Sequence, residues 1–199
     1  MAGWLRRLFR KTADEVYPGY TAAETASITA QFAEFNRERE RAEAELRANP
    51  YHPDPSDNPA IESVLRAAPR EAWHQLWSAV DDIRAEDPQA LGSWRTNNRD
   101  GSLCMPHVQY SEAVDRMTQA VYAVGAIVGF DWMKWDRKTA YPGGRGLETA
   151  PVADAARVLT AVIRGERFGD GIILTALNDG TLPAALQRLR TWYEQQEMA

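Results

Sequence analysis

The chain has 199 residues, of which 44% are hydrophobic and 26% are charged, and its formal net charge is -5. This composition is typical of a globular protein and excludes an intrinsically disordered chain. The negative net charge disfavours a general nucleic-acid binder, which has to neutralise phosphates, so no nucleic-acid partner is expected. The single cysteine, Cys104, cannot form an internal disulfide, and a cytoplasmic location is therefore expected.

The amino-terminal segment is predicted to form a short amphipathic helix with one apolar and one basic side. Its apolar residues are Trp4, Leu5, Leu8 and Phe9, and its basic residues are Arg6, Arg7, Arg10 and Lys11. No apolar run in the chain approaches the roughly 20 residues that span a bilayer, and no signal-peptide core follows the basic residues. The segment could lie on an anionic membrane surface, but docking on the protein's own core or on a second subunit is favoured.

A second helix is predicted to run from Thr21 to Ala48. Thr21 and Glu24 have the spacing of a capping box, and Asn49-Pro50 follows the last turn. The apolar positions of this helix are few, namely Ile28, Phe32, Phe35 and Leu46. A stripe this thin is typical of a projecting helix or of a helix that pairs with another helix.

A proline-rich stretch follows this helix. Residues 49–59 contain four prolines and no periodic apolar pattern, which predicts a linker. The expected organisation is therefore an arm of two helices at 1–49, a linker at 50–59 and a compact core domain at 60–199.

The core domain is predicted to be an all-α helical bundle, because its apolar residues recur every three or four positions. Ser111 is a predicted N-cap, Pro151 is predicted to open a central helix, and Gly180 is predicted to supply a left-handed cap before the last helix. No segment alternates with a period of two for long, so no strands are predicted. Residues 92–107 are polar and lack periodicity, and we expect a long loop there.

The central segment 152–171 is an apolar helix that runs into a cluster of charge and glycine. Arg164, Glu166, Arg167 and Asp170 crowd around Phe168 where the helix is expected to end. In one interpretation, Arg164 and Arg167 project into a pocket and present planar donors to a carboxylate or phosphate. In the other, which is favoured, they pair with carboxylates from distant segments and Phe168 fills the core, because charges in a compact fold are usually paired.

Two further segments contain candidate site residues. The run Phe130 to Asp136 includes Trp132 and Trp135 beside Asp131; it could form a stacking site, but core packing is favoured, with Asp131 as a cap or an arginine partner. Cys104 and His107 are the only close pair of metal-ligand types, and a metal site needs three or four ligands. Neither a metal nor a cofactor is therefore expected.

The motifs of the carboxyl-terminal half resemble one known family. The matching residues are Pro106 to Ser111, Phe130-Asp131-Trp132 with Trp135, Leu159 to Arg164, Arg167-Phe168, Asp170-Gly171, Gly180 and Leu186 to Leu189. Over residues 106–189 the chain resembles the bacterial family of domains of unknown function numbered 6508. The resemblance implies a helical bacterial domain without an assigned activity.

Two functional hypotheses follow from these residues. The leading one is a non-catalytic protein-interaction module, in which the arm and the helix 21–48 contact a protein partner or a second copy of the chain. The alternative is an enzyme or binder of an anionic small molecule or nucleotide. In that case Arg164 and Arg167 would hold the negative charge, Trp132 and Trp135 would line the site, and the catalytic candidates would be Asp131, Asp170 and His107.

Overall fold

A computed structural model of the protein describes residues 21–97 and 103–198. The chain divides into two compact units, Met1–Pro50 and Tyr51–Ala199, and the division falls within the proline-rich stretch. The predicted amphipathic helix at the amino terminus lies outside the described residues. No helix in the described part of the chain has both the length and the apolar character needed to span a membrane.

The first unit contains a single described helix, α1 (Ala22–Ala48). The predicted capping box is confirmed: the Thr21 amide donates to Glu24 Oε2 at 2.8 Å, and the Glu24 amide donates to Thr21 Oγ1 at 3.3 Å. Almost every described side chain of α1 is exposed, including Phe32 at 56% and Phe35 at 61%. Phe32 and Phe35 are therefore large apolar side chains at exposed positions of this helix.

The second unit is built mainly from helices, which confirms the predicted fold class. In chain order its elements are α2 (Asn58–Ala67), α3 (Arg70–Ala85), β1 (Gly92–Asn97), β2 (Leu103–Tyr110), α4 (Glu112–Ala123), α5 (Arg137–Ala140), α6 (Val152–Gly165), α7 (Ile172–Asn178) and α8 (Thr181–Glu197). Short 3-10 turns at Pro55–Asp57 and Pro142–Gly144 precede α2 and follow α5.

Strands β1 and β2 correct the prediction of a long loop over residues 92–107. They pair antiparallel, with Gly92 opposite Tyr110 and Trp94 opposite Val108. Among their described side chains only Val108 is buried, and Trp94 is 57% exposed. Because so few positions of this ribbon face the core, the sequence carries no alternation of apolar and polar residues to reveal it.

Helix α6 lies at the centre of the second unit. Twelve of its 14 residues are buried, and it packs against α2, α7 and α8, while α3 and α4 pack against each other. A helix buried on nearly all sides needs apolar residues all round, and α6 has them. Its one buried hydroxyl is satisfied, because Thr160 Oγ1 accepts from the Val128 amide and donates to the Ala156 carbonyl, both at 2.8 Å.

The predicted ends of three helices are confirmed. Ser111 Oγ accepts from the Val114 amide at the start of α4, and Pro151 directly precedes α6. Gly180, with a φ of 87°, lies in the left-handed region between α7 and α8. These boundaries are therefore set by residues at or beside the helix ends and do not depend on tertiary contacts.

Gly144 closes the 3-10 turn after α5 against the start of α8. Its φ is 77°, and a Cβ there would lie 2.4 Å from Ala184 Cβ and 3.0 Å from the Gly180 carbonyl oxygen. By contrast, a Cβ at Gly129 would meet nothing within 4 Å. Only glycine therefore fits the turn at position 144.

We predict that Gly144→Ala lowers the free energy of unfolding by roughly 2 to 5 kcal/mol, from left-handed backbone strain and the overlap with Ala184. Gly129→Ala, the matched control, should change it by less than about 0.5 kcal/mol. Urea unfolding followed by circular dichroism measures both. Equal stability of the two variants would contradict the described turn.

Candidate functional site

The turn after α6, residues 166–171, is held from inside by one carboxylate. Glu166 Oε1 accepts from the Tyr110 hydroxyl at 2.6 Å and from the Gly171 amide at 2.8 Å, and Glu166 Oε2 accepts from the Ile173 amide at 2.8 Å. These bonds join β2, the end of α6 and the first turn of α7. Sequence analysis placed Glu166 in the charged cluster but did not identify this role.

The environment of the Tyr110 hydroxyl changes its pKa. Burial, together with its hydrogen bond to the Glu166 carboxylate, raises the pKa of Tyr110 well above its usual value. The neutral hydroxyl is therefore the form that the folded protein favours.

Arg164 and Arg167 do not have the partners that were expected. Arg164 is half-buried in the last turn of α6 and Arg167 is exposed. Within residues 21–97 and 103–198, neither guanidinium makes a hydrogen bond or lies within 4 Å of a carboxylate. The predicted pairing of these two arginines with distant acids is wrong.

Phe168 was expected in the core and is instead 75% exposed. The space beneath the turn is occupied by Ile172, whose Cδ1 would lie 3.2 Å from a Cβ at Gly165 and 3.5 Å from one at Gly169. Because Glu166 and Ile172 fill the inner side of the turn, Phe168 can only point outward.

Among the arginines that the structure describes, Arg157 on α6 is the buried one, with 2% of its surface exposed. Its Nη1 donates to Asp154 Oδ1 at 2.8 Å and to Asn58 Oδ1 at 2.7 Å, and its Nη2 donates to the Asp54 carbonyl at 2.9 Å. The Tyr141 hydroxyl donates to the other Asp154 oxygen at 2.6 Å. A polar junction of the expected kind therefore exists, but around a different arginine.

The aromatic candidates separate into one core residue and one surface residue. Trp135 is 7% exposed and packs edge-on against Phe130 and Tyr141, with ring centroids 5.6 and 6.2 Å away. Trp132 is half-buried, and its ring centroid lies 5.7 Å from that of Phe168. Trp132 and Phe168 therefore form an aromatic pair on the outside of the turn.

The three catalytic candidates lie on separate elements. Asp131, between α4 and α5, is paired with Lys134 at 2.7 Å, so the expected role as a cap or arginine partner is wrong. Asp170 is exposed in the turn after α6. His107 is exposed on β2, where its Nδ1 lies 3.1 Å from the Met105 carbonyl oxygen.

A polar groove of about 620 Å³ lies between α3 and α4. Among its lining residues are Glu71, His74, Ser78 and Arg116, and Arg116 already bonds Asp82 at 3.0 Å. No group of three or more metal-ligating side chains occurs in the part of the chain that the structure describes. The groove is therefore a solvated cleft whose cation is neutralised within the fold.

We predict that Arg157→Ala destabilises the protein by about 3 to 5 kcal/mol, because it leaves a cavity at a buried position and takes the guanidinium away from the half-buried Asp154 carboxylate. Arg167→Ala, at an exposed and unpaired position, should change stability by less than about 0.5 kcal/mol. Thermal melts of the two variants provide the test. A larger loss for Arg167→Ala would mean that the burial pattern described above is wrong.

We also predict that Tyr110→Phe costs about 1.5 to 3 kcal/mol at neutral pH, the range for a hydrogen bond to a charged group. Since the pKa of Tyr110 is raised on folding, its contribution is full below the unfolded value of about 10 and is lost as pH rises above it. The difference between wild type and variant should therefore shrink in alkali. Tyr122→Phe, at a ring that is 44% exposed, is the control and should change stability by less than about 0.5 kcal/mol.

Comparison with known proteins gives a family but no described relative. Searches of curated proteins and of solved structures returned no significant match. Residues 68–195 match the family of unknown function DUF6508, a range that contains the predicted resemblance over 106–189. The match covers α3 and most of α8, with the hairpin and the Glu166 turn between them. Because it extends over more than half of the chain, the protein belongs to the DUF6508 family.

Proposed function

We propose that the protein is a non-catalytic protein-interaction module that assembles with a second copy of itself through α1. The observation that supports this is the exposed pair Phe32 and Phe35 on one side of a 27-residue helix. A helix with exposed large apolar side chains gains most by covering them with another helix. The single cysteine supports a cytoplasmic setting for this assembly.

The stripe has the spacing of a coiled-coil seam. Ile28, Phe32, Phe35 and Arg39 follow one another at steps of four, three and four, which is the alternation of positions a and d in a heptad. These four residues are hereafter the α1 seam. Ile28 is half-buried in the single chain, whereas both phenylalanines are more than half exposed. Phe32 and Phe35 are therefore the side chains that pairing would bury.

The helix dipoles favour an antiparallel pair, in which the two dipoles oppose each other. With the helices antiparallel, Phe32 faces Phe35 of the copy and Arg39 faces Ile28.

Turnover of an anionic small molecule, the catalytic form of the alternative function, requires an acid or a base beside Arg164 and Arg167. Asp170 lies in the same turn as Arg167, but Asp131 is bound to Lys134 and His107 lies on a different element from the arginines. The separation of Asp131 and His107 from the arginines supports the non-catalytic proposal.

We predict that wild-type protein shows a concentration-dependent dimer in sedimentation equilibrium and that Phe32→Ser or Phe35→Ser shifts it to the monomer. Phe168→Ser, the same change at an exposed phenylalanine outside α1, is the matched control and should dimerise like wild type. A wild type that remains monomeric at sub-millimolar concentration, or seam variants that still dimerise, would refute the assembly.

Orientation is tested with nitroxide labels at Ser27→Cys or Ala44→Cys in a Cys104→Ser background. At 1.5 Å per residue, an antiparallel pair places the two labels about 20 Å apart along the axis at position 27 and about 32 Å apart at position 44. A parallel pair would give the same short distance at both positions. Pulsed electron resonance distinguishes these two outcomes.

A further inference from the structure

We infer that the turn after α6 forms a docking site for an acidic peptide segment that carries an apolar anchor residue. The site consists of Trp132, Arg164, Arg167 and Phe168, hereafter the Phe168 surface. It belongs to the second unit and uses none of the residues of the α1 seam, so it is independent of the proposed dimer.

The first argument is the charge of this surface. Eight of the arginines described in the second unit donate hydrogen bonds to acceptors of that unit, namely Arg66, Arg70, Arg84, Arg95, Arg116, Arg157, Arg188 and Arg190. The other four described arginines of the unit, Arg137, Arg145, Arg164 and Arg167, make no such bond. Arg164 and Arg167 are three residues apart at the end of α6, beside Phe168 in the sequence. Each is therefore available to a carboxylate of another chain, which a guanidinium can bind through two donors.

The second argument is the exposed apolar area. Phe168 is 75% exposed beside the half-buried Trp132, and Met133, the residue after Trp132, is 68% exposed. Trp94, 57% exposed, lies against Gly171 of the same turn, where its Cζ2 would be 3.0 Å from a Cβ at Gly171. Aromatic residues and arginine together are the types enriched where binding energy is concentrated in protein interfaces.

The third argument is that the surface is held in place from beneath. Glu166 bonds the hydroxyl of Tyr110 and two backbone amides of the turn and of α7, and Ile172 fills the space under Gly165. A loop that is already ordered loses little conformational entropy when it binds. Phe168 therefore lies on a turn that is already ordered before a peptide binds.

A peptide fits this surface better than a nucleic acid does. The turn offers two arginines, whereas a nucleic acid presents a run of closely spaced phosphates that a binding protein has to neutralise with several cations. In such a peptide, one or two carboxylates pair with the two guanidinium groups, and an aliphatic or aromatic anchor packs against Phe168 and Trp132.

The test is a selection from a phage-displayed library of random peptides on immobilised wild-type protein, with counter-selection on the Arg164→Gln, Arg167→Gln double variant. Recovered peptides should be enriched in Asp or Glu next to Leu, Phe or Trp. Recovery of no consensus, or of a consensus without acids, would overturn the inference.

A synthetic peptide with the recovered sequence then gives affinities by fluorescence polarisation. Phe168→Ser should weaken binding about tenfold or more, as expected for a residue that dominates an interface, and each Arg→Gln change should weaken it and reduce its salt dependence. Arg145→Gln and Met198→Ser, exposed residues elsewhere in the unit, are the matched controls and should bind like wild type. Unchanged affinity in the Phe168 and arginine variants would overturn the site.

Two comparisons complete the test. Circular dichroism melts establish that the variants are folded, which is expected since the side chains of Arg164, Arg167 and Phe168 make no polar contact within the described residues. A labelled oligothymidylate and ATP are titrated in parallel. Tighter binding of either ligand than of the peptide, lost in the same arginine variants, would replace the peptide with a nucleotide ligand.

Discussion

The fold of the second unit depends on how a guanidinium is accommodated inside an apolar helix. Taking a charge out of water costs several kcal/mol unless partners replace the lost hydration. For Arg157 these partners are Asp154, one turn earlier, and two groups at positions 54 and 58. The proline-rich stretch therefore has to lie against α6. Tyr141 completes the arrangement by donating to the same carboxylate, so three segments far apart in sequence meet at one helix.

At the other end of α6, the carboxylate of Glu166 binds backbone amides instead of an arginine. Glu166 turns inward and satisfies two backbone amides, which leaves no room for its charged and aromatic neighbours on the inner side. Arg167 and Phe168 are exposed beside that bond pattern, and Arg164 is half-buried. The Phe168 surface is therefore positioned by Glu166. Its own exposed residues contribute little to the stability of the fold.

Sequence reasoning succeeded where the determinants are local. Capping at Thr21 and Ser111 and the left-handed Gly180 lie within a few residues of the helix ends that they set. It failed where the partner is remote: the acceptors of Arg157 at positions 58 and 54 are 99 and 103 residues away. The choice between Arg157 and Arg167 could not be made without those contacts. The hairpin was missed because a ribbon with one described buried side chain leaves almost no apolar signature.

The contacts of Arg157 also bear on how the domain can be dissected. The family match begins at residue 68, yet two of the acceptors that bind the Arg157 guanidinium belong to residues 54 and 58. The piece of chain that can fold by itself is thus longer at its amino end than the region that the family shares. A recombinant fragment that begins at the family boundary would retain every helix from α3 onward. Inside it, however, the Arg157 guanidinium would have lost two of its hydrogen-bond acceptors.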